Sequence, residues 1–152
     1  MNTTKLVICT LVGAVYCLLI DYLFYGILMG GTEGGTPNFL WMIIGYVIFA
    51  LFFCMIYAKG VEGGSPTQQG LRYGIMVGFL TAVAFGFIMH GVSTTGMMEE
   101  WSDLGTVLRD SAFEVVKLGI LGVIIAHLSG AGAGDRSGPT GQSQTPPPGG
   151  GN

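Results

Sequence analysis

Charge is scarce in this sequence. Of 152 residues only 10% are Asp, Glu, Lys or Arg, against 50% that are hydrophobic, and the mean hydropathy is +0.62. Soluble domains carry about a quarter charged residues, so a composition this poor in charge excludes an ordinary water-exposed surface. The six basic residues are too few and too scattered for a nucleic-acid face. The two histidines and three cysteines contain no C-x-x-C pair and no zinc spacing. There is also no phosphate loop, no nucleophile beside a base and no pair of carboxylates in a soluble cleft, which argues against an enzyme. No metal and no cofactor of its own is expected, although a haem, quinone or pigment shared with neighbouring subunits stays open.

What the chain does have is length of hydrocarbon. Four segments, 6–29, 39–58, 71–92 and 107–128, are apolar over the roughly 20 residues that a helix needs to cross a hydrocarbon core of about 30 Å. The fold class expected is therefore an all-α, polytopic membrane bundle of four transmembrane helices in residues 1–128. Lys5 before an apolar run resembles a signal peptide, but no small-residue cleavage site follows, and the first span is read as an anchor. Lys5, Lys59, Arg72 and Arg136 fall on one side of such a bundle and Arg109 alone on the other, so the positive-inside rule predicts an N-in/C-in arrangement. Tyr25, Trp41 and Trp101 are read as an outer aromatic belt, and Tyr57 and Tyr73 as an inner one. Cys9, Cys17 and Cys54 are read as small packing residues.

The links between spans carry helix-start chemistry. Thr36 and Pro37 precede the second span as a cap and a first-turn proline, and Ser65, Pro66 and Gln68 form a capping box that starts the third helix near Pro66. Residues 97–106 place Met97, Trp101 and Leu104 at helical spacing opposite Glu99, Glu100 and Asp103, which predicts a short amphipathic helix in the outer interface. Residues 129–152 are half Gly and Pro and are read as a disordered cytoplasmic tail. Residues 6–58 and 66–118 share eight identities at an offset of 60, among them Gly26/Gly86 and Trp41/Trp101. That is about twice the chance level and suggests a parallel repeat of a two-helix unit.

Gly70, Gly74, Gly78, Ala82 and Gly86 recur every four residues in the third span. Such a row lets another helix backbone approach closely, the main source of attraction between helices in lipid. On a straight α-helix it winds by about 40° per step, so two neighbouring helices are expected to share it. His90 is the row's next step, at the outer boundary, and is read with Glu99, Glu100 and Trp101 as a candidate ligand or interface residue. His127 lies near the inner end, too far away to form a bis-histidine site with it.

Within the spans stand charges that hydrocarbon does not tolerate cheaply, at roughly 2.5–3.5 kcal/mol each. Asp21 interrupts the first apolar run, and Asp110, Glu114 and Lys117 share one face of the fourth helix. At 1.5 Å rise per residue, Asp21 and Lys117 both lie about 12 Å below the outer end of their spans. Asp21 is expected to pair with Lys117, with Glu114 competing as acceptor and Tyr25, one turn on, donating a further hydrogen bond. The cluster reads first as an ion pair fixing helix register, second as a proton or ion site, and third as a contact with another subunit.

The combination "DYLFYG", Trp41 with Gly45, "GLRYGIMVG" and an acidic residue early in the fourth span resembles small four-helix bacterial inner-membrane proteins to which no activity is assigned. The resemblance covers residues 6–128 and implies a multi-pass protein of the cell inner membrane with no catalytic role; the Gly/Pro tail and Lys117 depart from its pattern. Two functions are carried forward. One is a non-enzymatic subunit or assembly component of a larger membrane complex. The other is a small oligomeric transporter or channel working through Asp21, Glu114 and Lys117. The partners implied are the lipid bilayer and other membrane subunits or further copies of this chain, with no nucleic acid.

Overall fold

The computed structural model describes residues 1–30, 38–60, 64–93 and 103–130. All elements among them are helical, and four helices are long and apolar enough to cross a membrane: α1 Thr3–Leu28, α2 Phe39–Lys59, α3 Pro66–Ser93 and α4 Leu104–Ser129. At 26, 21, 28 and 26 residues they run about 32–42 Å at 1.5 Å per residue, enough for a core of about 30 Å.

Each start is fixed by a side chain that satisfies an otherwise orphaned backbone N–H. Asn2 accepts from Lys5 N at 2.9 Å, Asn38 from Trp41 N, Ser65 from Gln68 N at 3.3 Å and Asp103 from Thr106 N at 2.7 Å. The cap of α2 is thus Asn38; Thr36 and Pro37 lie outside the described residues. The fourth helix begins at Leu104, so residues 104–106, expected in an interfacial helix, are its first turn. The rest of that interfacial segment, with Glu99, Glu100 and Trp101, and the tail from 131 onward lie outside the described residues. At the far end Gly130, with φ +70°, closes α4, and Lys5 Nζ donates to the Ser129 carbonyl at 3.0 Å. That bond joins the start of α1 to the end of α4, and the two helices run antiparallel.

The helices form an arc in the order α2, α1, α4, α3. α1 packs on α2 and α4, and α3 packs on α4. The hub is α4, with 44% of its most apolar stretch enclosed against 11% for α3. Leu118, Leu121 and Ile125 of α4 build the core with Cys9 and Cys17 of α1 and Phe53, Cys54 and Tyr57 of α2. All three cysteines are buried and free. The arc is drawn together at one end, where the Tyr73 hydroxyl of α3 donates to the Phe53 carbonyl of α2 at 3.1 Å and its ring meets those of Phe53 and Tyr57. Tyr57 is 2% exposed, so these two tyrosines tie helices together inside the bundle and do not form the inner aromatic belt read from the sequence. Tyr73 exchanges lipid contact for packing and a hydrogen bond, whereas Tyr57 gains ring packing alone, its buried hydroxyl having no hydrogen-bond partner among the described residues.

The α3–α4 contact is a backbone contact. A Cβ on Gly70 would stand 2.6 Å from the Gly122 carbonyl carbon, and one on Gly74 would stand 2.8 Å from Gly119 Cα. Further along, Gly78 faces Val115, the Ala82 carbonyl accepts from Ser111 Oγ at 3.3 Å, and Gly86 faces Ser111 and Val107. The whole row therefore faces one neighbour, α4, where two had been expected. The physical reason is the π-helical stretch Phe79–Ala84. Bonds from i to i+5 put more than 3.6 residues in each turn, so four residues fall short of a full turn and the drift of the row is reversed.

Candidate functional site

Asp21 is the last residue of α1 before its backbone widens into a second π-helical stretch, Tyr22–Leu28. Its carboxylate points at α4. Lys117 Nζ lies 2.7 Å from Asp21 Oδ1 and 2.9 Å from Oδ2, and 2.5 Å from Glu114 Oε1 on its own helix. One ammonium therefore bridges two carboxylates. The side chains of Lys117 and Asp21 are 5% and 9% exposed, whereas that of Glu114 is 28% exposed. Asp21 and Lys117 form the enclosed part of the group, and Glu114 its open edge.

Three further contacts position the cluster. The Tyr46 hydroxyl of α2 donates to Asp21 Oδ2 at 2.6 Å, the length of a charge-assisted bond. The Tyr16 hydroxyl of α1 donates to the Lys117 carbonyl at 3.1 Å. Lys117 Nζ also stands 5.5 Å from the centre of the Phe113 ring, which is stacked on Phe24 at 3.7 Å. Tyr25 contributes its ring, edge-on to Phe24 and Phe113, while the hydroxyl that reaches Asp21 is that of Tyr46. The i+4 relation proposed for Tyr25 presumes an α-helical turn, and the widened backbone after Asp21 turns Tyr25 to another direction.

Beside this cluster lies a cavity of about 610 Å³. Its wall takes Asp21 and Tyr25 from α1, Gly45, Tyr46 and Phe49 from α2, Thr81 and Phe85 from α3, and Asp110, Glu114 and Lys117 from α4. Asp110 is held from outside by Arg109, Nε to Oδ1 at 2.8 Å. Tyr46, Tyr16, Thr81 and Ser111 were not anticipated from the sequence. For Tyr46 a signal existed: a tyrosine seven residues into an apolar helix is too deep for the interface and needs a buried acceptor.

The two histidines sit at opposite ends of the antiparallel α3–α4 pair. His90 is half-buried near the end of α3 and its carbonyl accepts from Ser93 Oγ at 2.7 Å. His127 Nδ1 is 2.9 Å from the Val123 carbonyl, at the end shared with Thr67. Among the described residues no group of three or more His, Cys, Asp or Glu side chains is arranged to hold a metal ion.

No protein-family model, curated protein or solved structure matches the chain. The geometry of the site itself therefore carries the functional reading.

Proposed function

We propose that this chain is a non-enzymatic, multi-pass protein of the cell inner membrane with both termini cytoplasmic, and that it works as a small oligomeric transporter. The placement of Lys5, Lys59 and Arg72 near one end of the bundle and Arg109 near the other supports that orientation. The close pairing of α1 with α2 and of α3 with α4 is in keeping with a repeated two-helix unit.

One observation carries the transport reading: a single ammonium serves two carboxylates at the wall of a cavity. Asp110 is balanced by Arg109, so the Asp21–Lys117–Glu114 group bears one uncompensated negative charge. A carboxylate in excess of the available ammonium is costly in such a partly enclosed site, which favours a proton or a cation beside Glu114. Asp21 and Lys117 lock the helices, and Glu114 is the exchangeable carboxylate. The test is proton or cation flux in liposomes containing the purified protein under an imposed membrane potential. Wild-type protein is expected to dissipate the gradient and Glu114→Gln to do so no faster than empty liposomes; wild-type flux equal to that of empty liposomes would sink the reading.

Membership of a larger complex is the second reading. It is favoured by the outward faces of α2 and α3, only 17% and 11% of whose most apolar stretches are enclosed, which leaves them for lipid or for another subunit. Native mass analysis after mild-detergent extraction distinguishes the two: a homo-oligomer alone favours the transporter, and stable foreign protein partners favour the complex.

A further inference from the structure

The cavity restricts what it can hold in three independent ways. Its volume of about 610 Å³ lies within the 300–1,000 Å³ typical of small-molecule sites. Its charge is negative, because Asp21, Asp110 and Glu114 face it against Lys117, and the single guanidinium of Arg109 balances Asp110 from outside. The rest of its wall is greasy and aromatic, with Met42, Phe49 and Phe85 beside the ring of Tyr46.

Access narrows the class further. α2 and α3 meet through Phe53, Tyr57 and Tyr73, toward the opposite end of the bundle. Gly45 of α2 and Thr81 of α3, which face the cavity from either side, are both exposed, and a Cβ on Gly45 would meet nothing within 4 Å. That flank of the cavity opens between two helices whose outer faces are apolar. A hydrated inorganic ion would have to shed its water in acyl chains to enter there. A cation attached to an apolar body enters such a flank readily, and aromatic faces attract it once inside.

We propose that this cavity binds a lipophilic monocation, a quaternary or protonated amine or a phosphonium, with its charge against Glu114 and its apolar body along Met42, Phe49 and Phe85. The ligand enters from the bilayer between α2 and α3. Glu114 takes the charge because it is the exposed edge of the cluster, while Asp21 keeps Lys117. This proposal rests on the reading of the cavity as the functional site and adds the class of molecule that fills it.

The experiment is equilibrium binding to the full chain in detergent, with empty micelles as the blank. Tetraphenylphosphonium is the probe, and tetraphenylborate, of the same shape and opposite charge, is the control. The phosphonium is expected to bind at least about tenfold more tightly than the borate, and Glu114→Gln to weaken it by about tenfold or more, as losing the charged partner of a desolvated cation does. Gly45→Leu, at a position that lines the cavity and has room for a side chain, is expected to occupy the space of the apolar body and weaken binding by a similar factor without lowering the melting temperature. Should Glu114→Gln fail to fold, Gly45→Leu decides. Equal binding of phosphonium and borate, or a Gly45→Leu protein whose affinity stays within about threefold of wild type, would overturn the proposal. Binding that depends on Glu114 without any flux in liposomes keeps the site and removes transport. Flux that depends on Glu114 without phosphonium binding removes this ligand class and keeps transport.

Discussion

Replacing Lys117 by Met tests the electrostatic centre of the bundle. Methionine keeps most of the hydrocarbon stem and deletes the ammonium, which makes three contacts of 2.5–2.9 Å with Asp21 and Glu114. Removing one member of a buried pair costs about 3–5 kcal/mol, because the other charge is left unpaired. Two features lower the figure here. Tyr46 still donates to Asp21, and Glu114 is 28% exposed, so about 3 kcal/mol is expected. The double variant Asp21→Asn with Lys117→Met removes both charges and should recover all but about 1 kcal/mol, since a neutral replacement of a buried pair is often tolerated. The assay is reversible unfolding in mixed micelles by titration with dodecyl sulfate, followed by helical circular dichroism. A Lys117→Met protein within about 0.5 kcal/mol of wild type, or a double variant no more stable than the single one, would refute the assignment of this pair as the lock between α1 and α4.

Tyr46→Phe deletes one charge-assisted bond to Asp21 and should destabilise by about 1.5–3 kcal/mol in the same titration, while leaving helix content unchanged. Gly74→Ala forces a Cβ into the backbone of α4, at 2.7 Å from the Leu118 carbonyl carbon, and should cost about 1–3 kcal/mol. Gly45→Ala, with open space around it, should instead stabilise by about 0.5–1 kcal/mol, and the opposite signs of the two substitutions are the check. Asp103 accepts from the Thr106 hydroxyl and backbone N–H at the start of α4, which holds its carboxyl below its usual value. Its support for the helix start is therefore complete above about pH 4, the unfolded value, and is lost as pH falls through the lower folded one. Protection factors at Thr106 and Val107, the intrinsic exchange rate at each pH divided by the observed one, should fall on acidification in the wild type and stay level with pH in Asp103→Asn.

Much of this architecture could be read from simple counting. Apolar length alone marks four helices, and a rise of 1.5 Å per residue puts Asp21 and Lys117 at one height, where the structure has them 2.7 Å apart. Two readings that counting got wrong share one cause. The reading of Tyr25 as the donor to Asp21, and the expectation that the Gly70–Gly86 row would wind onto two neighbours, both assume 3.6 residues per turn. Each was defeated by a π-helical stretch, Tyr22–Leu28 in one helix and Phe79–Ala84 in another. Widened turns depend on tertiary packing and have no sequence signature comparable to a proline or a cap. Tyr46 escaped for a different reason: it lies on a helix without charge at that depth, so its partner becomes visible only once α1 and α2 are placed side by side.

Asp21 and Lys117 are 96 positions apart in the chain, and that interval has a meaning during biosynthesis. At about 5–20 residues per second, a ribosome delivers the acid roughly 5–20 s before its base exists. Tyr46, only 25 positions behind the acid, is made early in that window and is the first of its partners to arrive. Nascent chains stalled before the fourth span are accordingly the form that membrane quality-control proteases should find first.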